Sequence, residues 1–199
     1  MNMNEINIFE KIVIHPGEFY ATNKEALIST LLGSCVSACL FDPVNKVLGM
    51  NHFLLSSEKY KKNGDGFSTP SGRYGVNAME LLINKMYQLG AVRSHLKAKA
   101  FGGSTLQRFN NGKTSVGNVG EANLKFVREF LANEKIPLMA EDMGGTRGRT
   151  IYFDSRDYSV YVRKHQAVKL VEIFERERQY SERLNNNQTE ANTNICLWN

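Results

Sequence analysis

The spacing of apolar residues changes period several times along the chain, and each change marks an element. Over residues 6–14 apolar positions alternate loosely and run into His15-Pro16-Gly17, which predicts a strand ending in a turn. Residues 29–41 (STLLGSCVSACLF) are interrupted by Gly33-Ser34 and then become rich in strand formers. Asp42-Pro43-Val44-Asn45 supplies a turn, and residues 47–55 read as a returning strand, so the two form a hairpin. Residues 56–71 are polar and read as a surface loop. Beyond them Val76, Met79, Leu82, Ile83, Met86 and Leu89 recur at helical spacing over residues 73–89, with Gly90 as the stop. A strand is predicted over residues 95–101, ending at Gly102-Gly103, and a second helix over residues 121–133, with Pro137 just beyond it. Residues 136–140, 150–153 and 159–162 read as short strands, the first two separated by Gly144-Gly145 and Gly148. A third helix is predicted from His165, burying Ala167, Leu170, Val171 and Phe174 before a charged run over 175–183 that reads as a solvated face. From Asn185 the tail is Asn-rich and is expected to be disordered.

Strands outnumber helices and several are joined as hairpins, which points to an α+β layered sandwich. The 199 residues suit one domain with a sizeable core, and 42% hydrophobic with 23% charged residues excludes a disordered chain. No apolar run is long enough to span a membrane, and the N-terminus lacks the pattern of a secretory signal. The net charge of +5 is spread among 20 acidic residues. It forms no basic stripe with interleaved aromatics, so nucleic acid is not an expected partner. Such a surface is compatible with an acidic protein partner.

The three cysteines, Cys35, Cys39 and Cys196, are an odd and sparse set that fits a reducing compartment. Cys35 and Cys39 on one strand would lie roughly 13 Å apart, too far for a disulfide. Neither stands at zinc-type spacing from a histidine, and no metal or organic cofactor is expected.

Chemistry concentrates at Leu32-Gly33-Ser34-Cys35. A glycine two residues before a cysteine permits a sharp turn whose N–H groups could face an oxyanion. A thiol nucleophile also needs a base, and His52 falls on the strand expected to return beside Cys35. An isolated cysteine in an apolar strand is more often a small core residue, the role assigned to Cys39. Gly102-Gly103 and Gly144-Gly145 match no phosphate-binding pattern and read as sharp turns. His15, His95 and His165 have no acidic or thiol companions in sequence and are expected in surface or core roles. Glu141 and Asp142, adjacent on a strand, should face opposite ways and cannot act as a carboxylate pair.

The run from Thr30 to Leu40, TLLGSCVSACL, resembles the signature of the CheD chemoreceptor deamidases. Phe41-Asp42-Pro43, Gly49-Met50-Asn51-His52-Phe53, Arg73-Tyr74-Gly75, Ala100-Phe101-Gly102-Gly103, Gly120-Glu121 with Asn123, Ala140-Glu141-Asp142 and Gly148-Arg149 follow in the family's order. The resemblance covers residues 12–163. It implies a layered sandwich of two mixed β-sheets flanked by helices, similar to the catalytic domain of the cytotoxic necrotizing factor toxins. It also implies a protein-glutamine glutaminase that converts selected receptor glutamines to glutamate and ammonia. The family's cysteine and histidine fall on Cys35 and His52, and its third catalytic position, usually threonine, falls on Ser29, with Thr30 next to it. Gly33, Ser34 and Asn51 are assigned to substrate binding.

On this reading residues 1–164 form the deamidase domain, 165–184 a helical extension and 185–199 the tail. The partners implied are the cytoplasmic helical regions of methyl-accepting chemotaxis receptors and, in the family, a CheC-type phosphatase. The location is then the cytoplasm, with no direct membrane insertion. The alternative is a catalytically weak adaptor that binds receptors and a CheC-type phosphatase.

Overall fold

The computed structural model describes residues 10–55, 67, 70–105, 109–110, 113–114, 119–165, 175, 179–180 and 182. Most of the loop expected over 56–71, the bulk of the predicted third helix and the tail lie outside the described residues. In chain order the elements are β1 (Glu10–Val13), β2 (Phe19–Thr22), β3 (Ala26–Leu32), β4 (Val36–Asp42), β5 (Val47–Asn51), α1 (Pro70–Gln88), β6 (Lys97–Gly102), β7 (Phe109–Asn110), β8 (Lys113–Thr114), α2 (Val119–Asn133), β9 (Leu138–Met143), β10 (Arg149–Asp154) and β11 (Val160–Lys164).

Two mixed sheets result, one ordered β1-β3-β10-β11 and the other β2-β5-β4-β6-β9, with β7 and β8 as a separate two-stranded ribbon. Each large sheet contains one parallel pair, β1 with β3 and β6 with β9, and is otherwise antiparallel. The α+β sandwich of two mixed sheets is therefore as expected, and α1 and α2 cover the outer face of the five-stranded sheet.

Alternation decides which side chains meet. Ile28 and Leu32 of β3 face Cys39, Phe41, Met50 and Phe101 across the space between the sheets, joined by Ile151 and Phe153 of β10. The other face of β4 and β5, with Val36, Ala38, Leu40 and Val47, packs on Met79, Leu82 and Met86 of α1 and on Phe126, Val127 and Phe130 of α2. Strand β4 is buried along its whole length because both of its faces are covered. This explains why its sequence reads as a continuous apolar run instead of an alternating one.

The expected β4–β5 hairpin is present, with Cys39 opposite Met50 and Asp42 opposite Val47. At its turn Asp42 Oδ1 accepts hydrogen bonds from the Val44 and Asn45 N–H groups. Gly90, at φ 99°, ends the first helix segment as predicted. Three elements differ from the pattern reading. Strand β2 was not anticipated; its four residues carry too little alternation, and it exists because it pairs with the edge of β5. The strand expected at 136–140 lies instead at Leu138–Met143, an exposed edge whose sequence need not alternate. The ribbon β7–β8 was also missed, although Asn111-Gly112 between its strands is a hairpin signal.

Candidate active site

The turn at residues 33–35 carries the chain from β3 in one sheet to β4 in the other. Its carbonyls are held one by one. Gly33 O accepts from Ser104 N–H and Cys35 O from Gly103 N–H, both at 2.7 Å. Ser34 O accepts from Asn123 Nδ2 at 2.9 Å, while Asn123 Oδ1 accepts from Leu55 N–H at 2.8 Å. In a trans peptide the N–H points opposite to the C=O. The Ser34 and Cys35 N–H groups are thereby turned away from the residues that grip the Gly33 and Ser34 carbonyls.

Gly102 makes this close approach possible: at φ 111° it lies so near Cys35 O that a Cβ there would collide with it. Behind these loops Arg149, 2% exposed, donates to Ser104 Oγ and the Gly144 carbonyl and pairs with Asp142 at 2.8 Å. Glu141 pairs with Arg128 instead, so the two adjacent carboxylates do face opposite ways. Gly102-Gly103 and Gly144-Gly145 are positive-φ turns, as their sequence suggested.

Past Asn51 the β5 chain still follows β4: Val36 and Phe53 exchange both backbone hydrogen bonds. In that register His52 lies on the same face as Cys35 and diagonal to it. Diagonal cross-strand neighbours lie roughly 7–8 Å apart at their Cα atoms, with side chains nearer. Both residues are buried, Cys35 at 0% and His52 at 2% exposure.

The imidazole's partner is Thr30: its Oγ1 lies 2.7 Å from His52 Nδ1. The same hydroxyl donates its single hydrogen to the Ile14 carbonyl at 2.7 Å. A hydroxyl with its proton committed can only accept, so the bond to His52 is an Nδ1–H donation. The neutral ring then carries its lone pair on Nε2, and that atom is buried without a hydrogen-bond partner among the described residues. Burial, with a smaller contribution from His15, pushes His52 down to about 3, so it is neutral at physiological pH.

Two further residues named from the sequence have other hydrogen-bond partners. Ser29, expected as the third catalytic residue, points to the opposite face of β3 from Thr30, and its hydroxyl donates to the Ile12 carbonyl at 3.2 Å. Asn51, expected to bind substrate, faces the helices. Its Oδ1 accepts from Ala38 N–H and its Nδ2 donates to the Ala78 carbonyl and Met79 Sδ. Gly33 and Ser34 do lie in the turn that presents Cys35. The alternation of Ile28, Thr30 and Leu32 was the available signal for Thr30, since all three share the core face.

Around the Thr30–His52 pair is a cavity of about 210 Å³, also lined by His15, Ser29, Thr150 and Tyr152. A smaller one of about 60 Å³ lies between Gly17, His52, Tyr74 and Asn77. Tyr74 Oη is hydrogen-bonded to Tyr180 Oη. In the charged run Glu175, Gln179 and Glu182 are exposed as expected, but Tyr180 is half-buried and packs against the cluster that contains Cys35. Cys39 is also fully buried, and burial pushes its thiol up to about 12. His165 bonds to Thr150, and His95 lies 3.7 Å from Asp42. Among the described residues no cluster of histidine, cysteine and carboxylates could hold a metal ion. No helix there is long and apolar enough to cross a membrane.

Fold and site together define a two-sheet α+β protein that holds a cysteine and a histidine on one face of a hairpin. The chain belongs to the CheD family: the family model described as CheD chemotactic sensory transduction matches residues 54–164. A Geobacter sulfurreducens protein named "Probable chemoreceptor glutamine deamidase CheD 1" is 51% identical over 84% of this chain and 83% of its own length. A Shewanella oneidensis protein named "Probable chemoreceptor glutamine deamidase CheD 2" is 40% identical over 94% of both. A solved structure of a Neisseria meningitidis protein from family DUF152 aligns at 9% identity over 69% of this chain and 63% of its own, with a TM-score of 0.39. That likeness carries no argument here.

Proposed function

We propose that this protein is a chemoreceptor glutamine deamidase in which Cys35 is the nucleophile and His52 the base. The observation that carries the reading is the Thr30-held imidazole, whose Nε2 has no partner among the described residues and whose residue faces the same side as Cys35. His52 Nε2 takes the thiol proton, and the sulfur attacks the carboxamide carbon of a receptor glutamine. The Ser34 and Cys35 N–H groups receive the oxyanion, a role supported by the way the carbonyls of this turn are gripped from behind. His52 returns the proton to the departing ammonia, then draws one from the water that hydrolyses the thioester to glutamate. Thr30 orients the ring and fixes its tautomer.

The substrates are the cytoplasmic helical regions of methyl-accepting chemotaxis receptors, and the protein works in the cytoplasm without a cofactor. The catalytic unit is residues 1–164, with 165–184 as an extension and 185–199 as a tail. The likeness to the cytotoxic necrotizing factor catalytic domain belongs to the same reading. One observation, the closure of the site over Cys35, favours the alternative of an adaptor for receptors and a CheC-type phosphatase.

Mass spectrometry of a receptor cytoplasmic fragment decides between the two. The deamidase adds roughly 1 Da at defined glutamines and Cys35→Ala does not. Equal modification by both proteins would remove Cys35 from the chemistry, and none by either would leave the adaptor.

A further inference from the structure

Cys35 and His52 are shut off from solvent, so a receptor glutamine cannot reach the sulfur unless something moves. Among the described residues, one that packs on the cluster containing Cys35 is Tyr180, from beyond β11 and beyond the family-matched residues 54–164. Its phenol crosses Gly17 so closely that a Cβ on that residue, at φ 87°, would collide with it. Its hydroxyl bonds to Tyr74 of α1, and its ring packs on the cluster that includes Cys35, Ile14 and Leu54.

We propose that Tyr180 is an internal occupant of the substrate cleft, capping Cys35 until a receptor surface displaces it. The inference rests on the reading of Cys35 as nucleophile. The cavity between Gly17, Asn51, Tyr74 and His52 is about 60 Å³, room for a few waters and not for a peptide segment. Burial raises both Tyr74 and Tyr180, with the nearby Cys35 adding to the shift, so both phenols stay neutral and the cap adds no charge against the thiol. A depressed His52 is the companion of this closure, because a buried imidazole resists the charge it must carry during proton transfer. Displacing Tyr180 readmits water to the ring and restores its basicity. Activation and substrate docking thus become one event.

The test is alkylation of the full-length protein by iodoacetamide, followed at each cysteine by peptide mass spectrometry. Tyr180→Ala should speed modification of Cys35 about tenfold, the factor set by one hydrogen bond and part of a ring's burial. Tyr180→Phe, which keeps the ring and loses the hydroxyl, should give a smaller rise. Cys39, buried in the same core, serves as the internal control. An unchanged Cys35 rate in Tyr180→Ala overturns the proposal, and so does a parallel rise at Cys39, which would mean general loosening. Ammonia release from receptor fragments, measured alongside, separates this proposal from the deamidase reading. Faster alkylation without ammonia from any variant keeps the cap and sinks the deamidase. Undiminished ammonia from the native protein, with no change in alkylation, does the reverse.

Discussion

Cys35 and Cys39 lie on the same face of the same chain segment, both fully buried in one core cluster, yet their backbone settings differ. Cys39 sits mid-strand, opposite Met50 on one side and Lys99 on the other, among residues of both sheets. Its thiol, raised to about 12, is inert at neutral pH. Cys35 stands where β4 begins, so the ladder that seals Cys39 gives way there to a turn with all its carbonyls gripped. In the register of β4 and β5 His52 is diagonal to both cysteines, but Cys39 has Met50 directly opposite while Cys35 adjoins the turn. On the proposed reading, reactivity follows from where the strand ends.

The largest expected effect breaks the comparison directly. Cys35→Ala should lower ammonia release from receptor fragments by at least about a thousandfold, since no other group can take over the covalent step. Cys39→Ala should stay within a few-fold of native turnover and show its effect in stability, by roughly 1–2 kcal/mol for a small buried side chain. Comparable losses in both variants would mean that the difference between the two positions is not chemical.

Next comes the hydroxyl behind the imidazole. Thr30→Val removes the acceptor of the Nδ1–H bond and should reduce kcat about 10- to 100-fold with little change in KM. Thr30→Ser should restore most of the rate. Ser29→Ala, which touches a bond to the Ile12 carbonyl, should remain within about threefold of native. A larger loss in Ser29→Ala than in Thr30→Val would return the third position to Ser29.

That pair also marks how far the sequence could be read. The hairpin and both helices were legible because turn residues and apolar spacing are local signals. Which of two adjacent hydroxyls meets the imidazole depends on the facing of β3, and that is set by its pairing with β1 and β10 far along the chain. The alternation of Ile28, Thr30 and Leu32 carried the facing of Thr30, while resemblance to a family position named Ser29. Asn51 and its neighbour His52 face opposite sides, as adjacent strand residues do. Asn123 was singled out only as a match to the family's order, without a role, and Tyr180 not at all. Asn123 spans Ser34 and Leu55, and Tyr180 meets Tyr74 and Gly17, through contacts that no local pattern encodes.

The smallest expected effect is in stability against pH, and it tests whether the Cys35 end of the hairpin is as closed as the Cys39 end. His52 has a folded value of about 3 against an ordinary 6.5, so the unfolded chain takes up its proton first as the pH falls. The stabilisation from a neutral buried ring is therefore complete above about pH 6.5 and is lost progressively toward pH 3. The slope is at most about 1.4 kcal/mol per pH unit. Asp42 and Asp154 sit below the usual carboxylate range. At Asp42 burial pulls upward but the hydrogen bonds from Asn45, Val92 and Val44 prevail; at Asp154 the Arg156 hydrogen bond leads. Their contributions are lost only below their ordinary value of 3.8, so the interval from pH 6.5 to 5 belongs to histidine. Urea unfolding at those two pH values should show a decrease of roughly 1–2 kcal/mol in the native protein. In His52→Gln the decrease should be much smaller. Equal decreases in both proteins would mean that water already reaches His52, and that the two ends of the hairpin are less different than the buried ring implies.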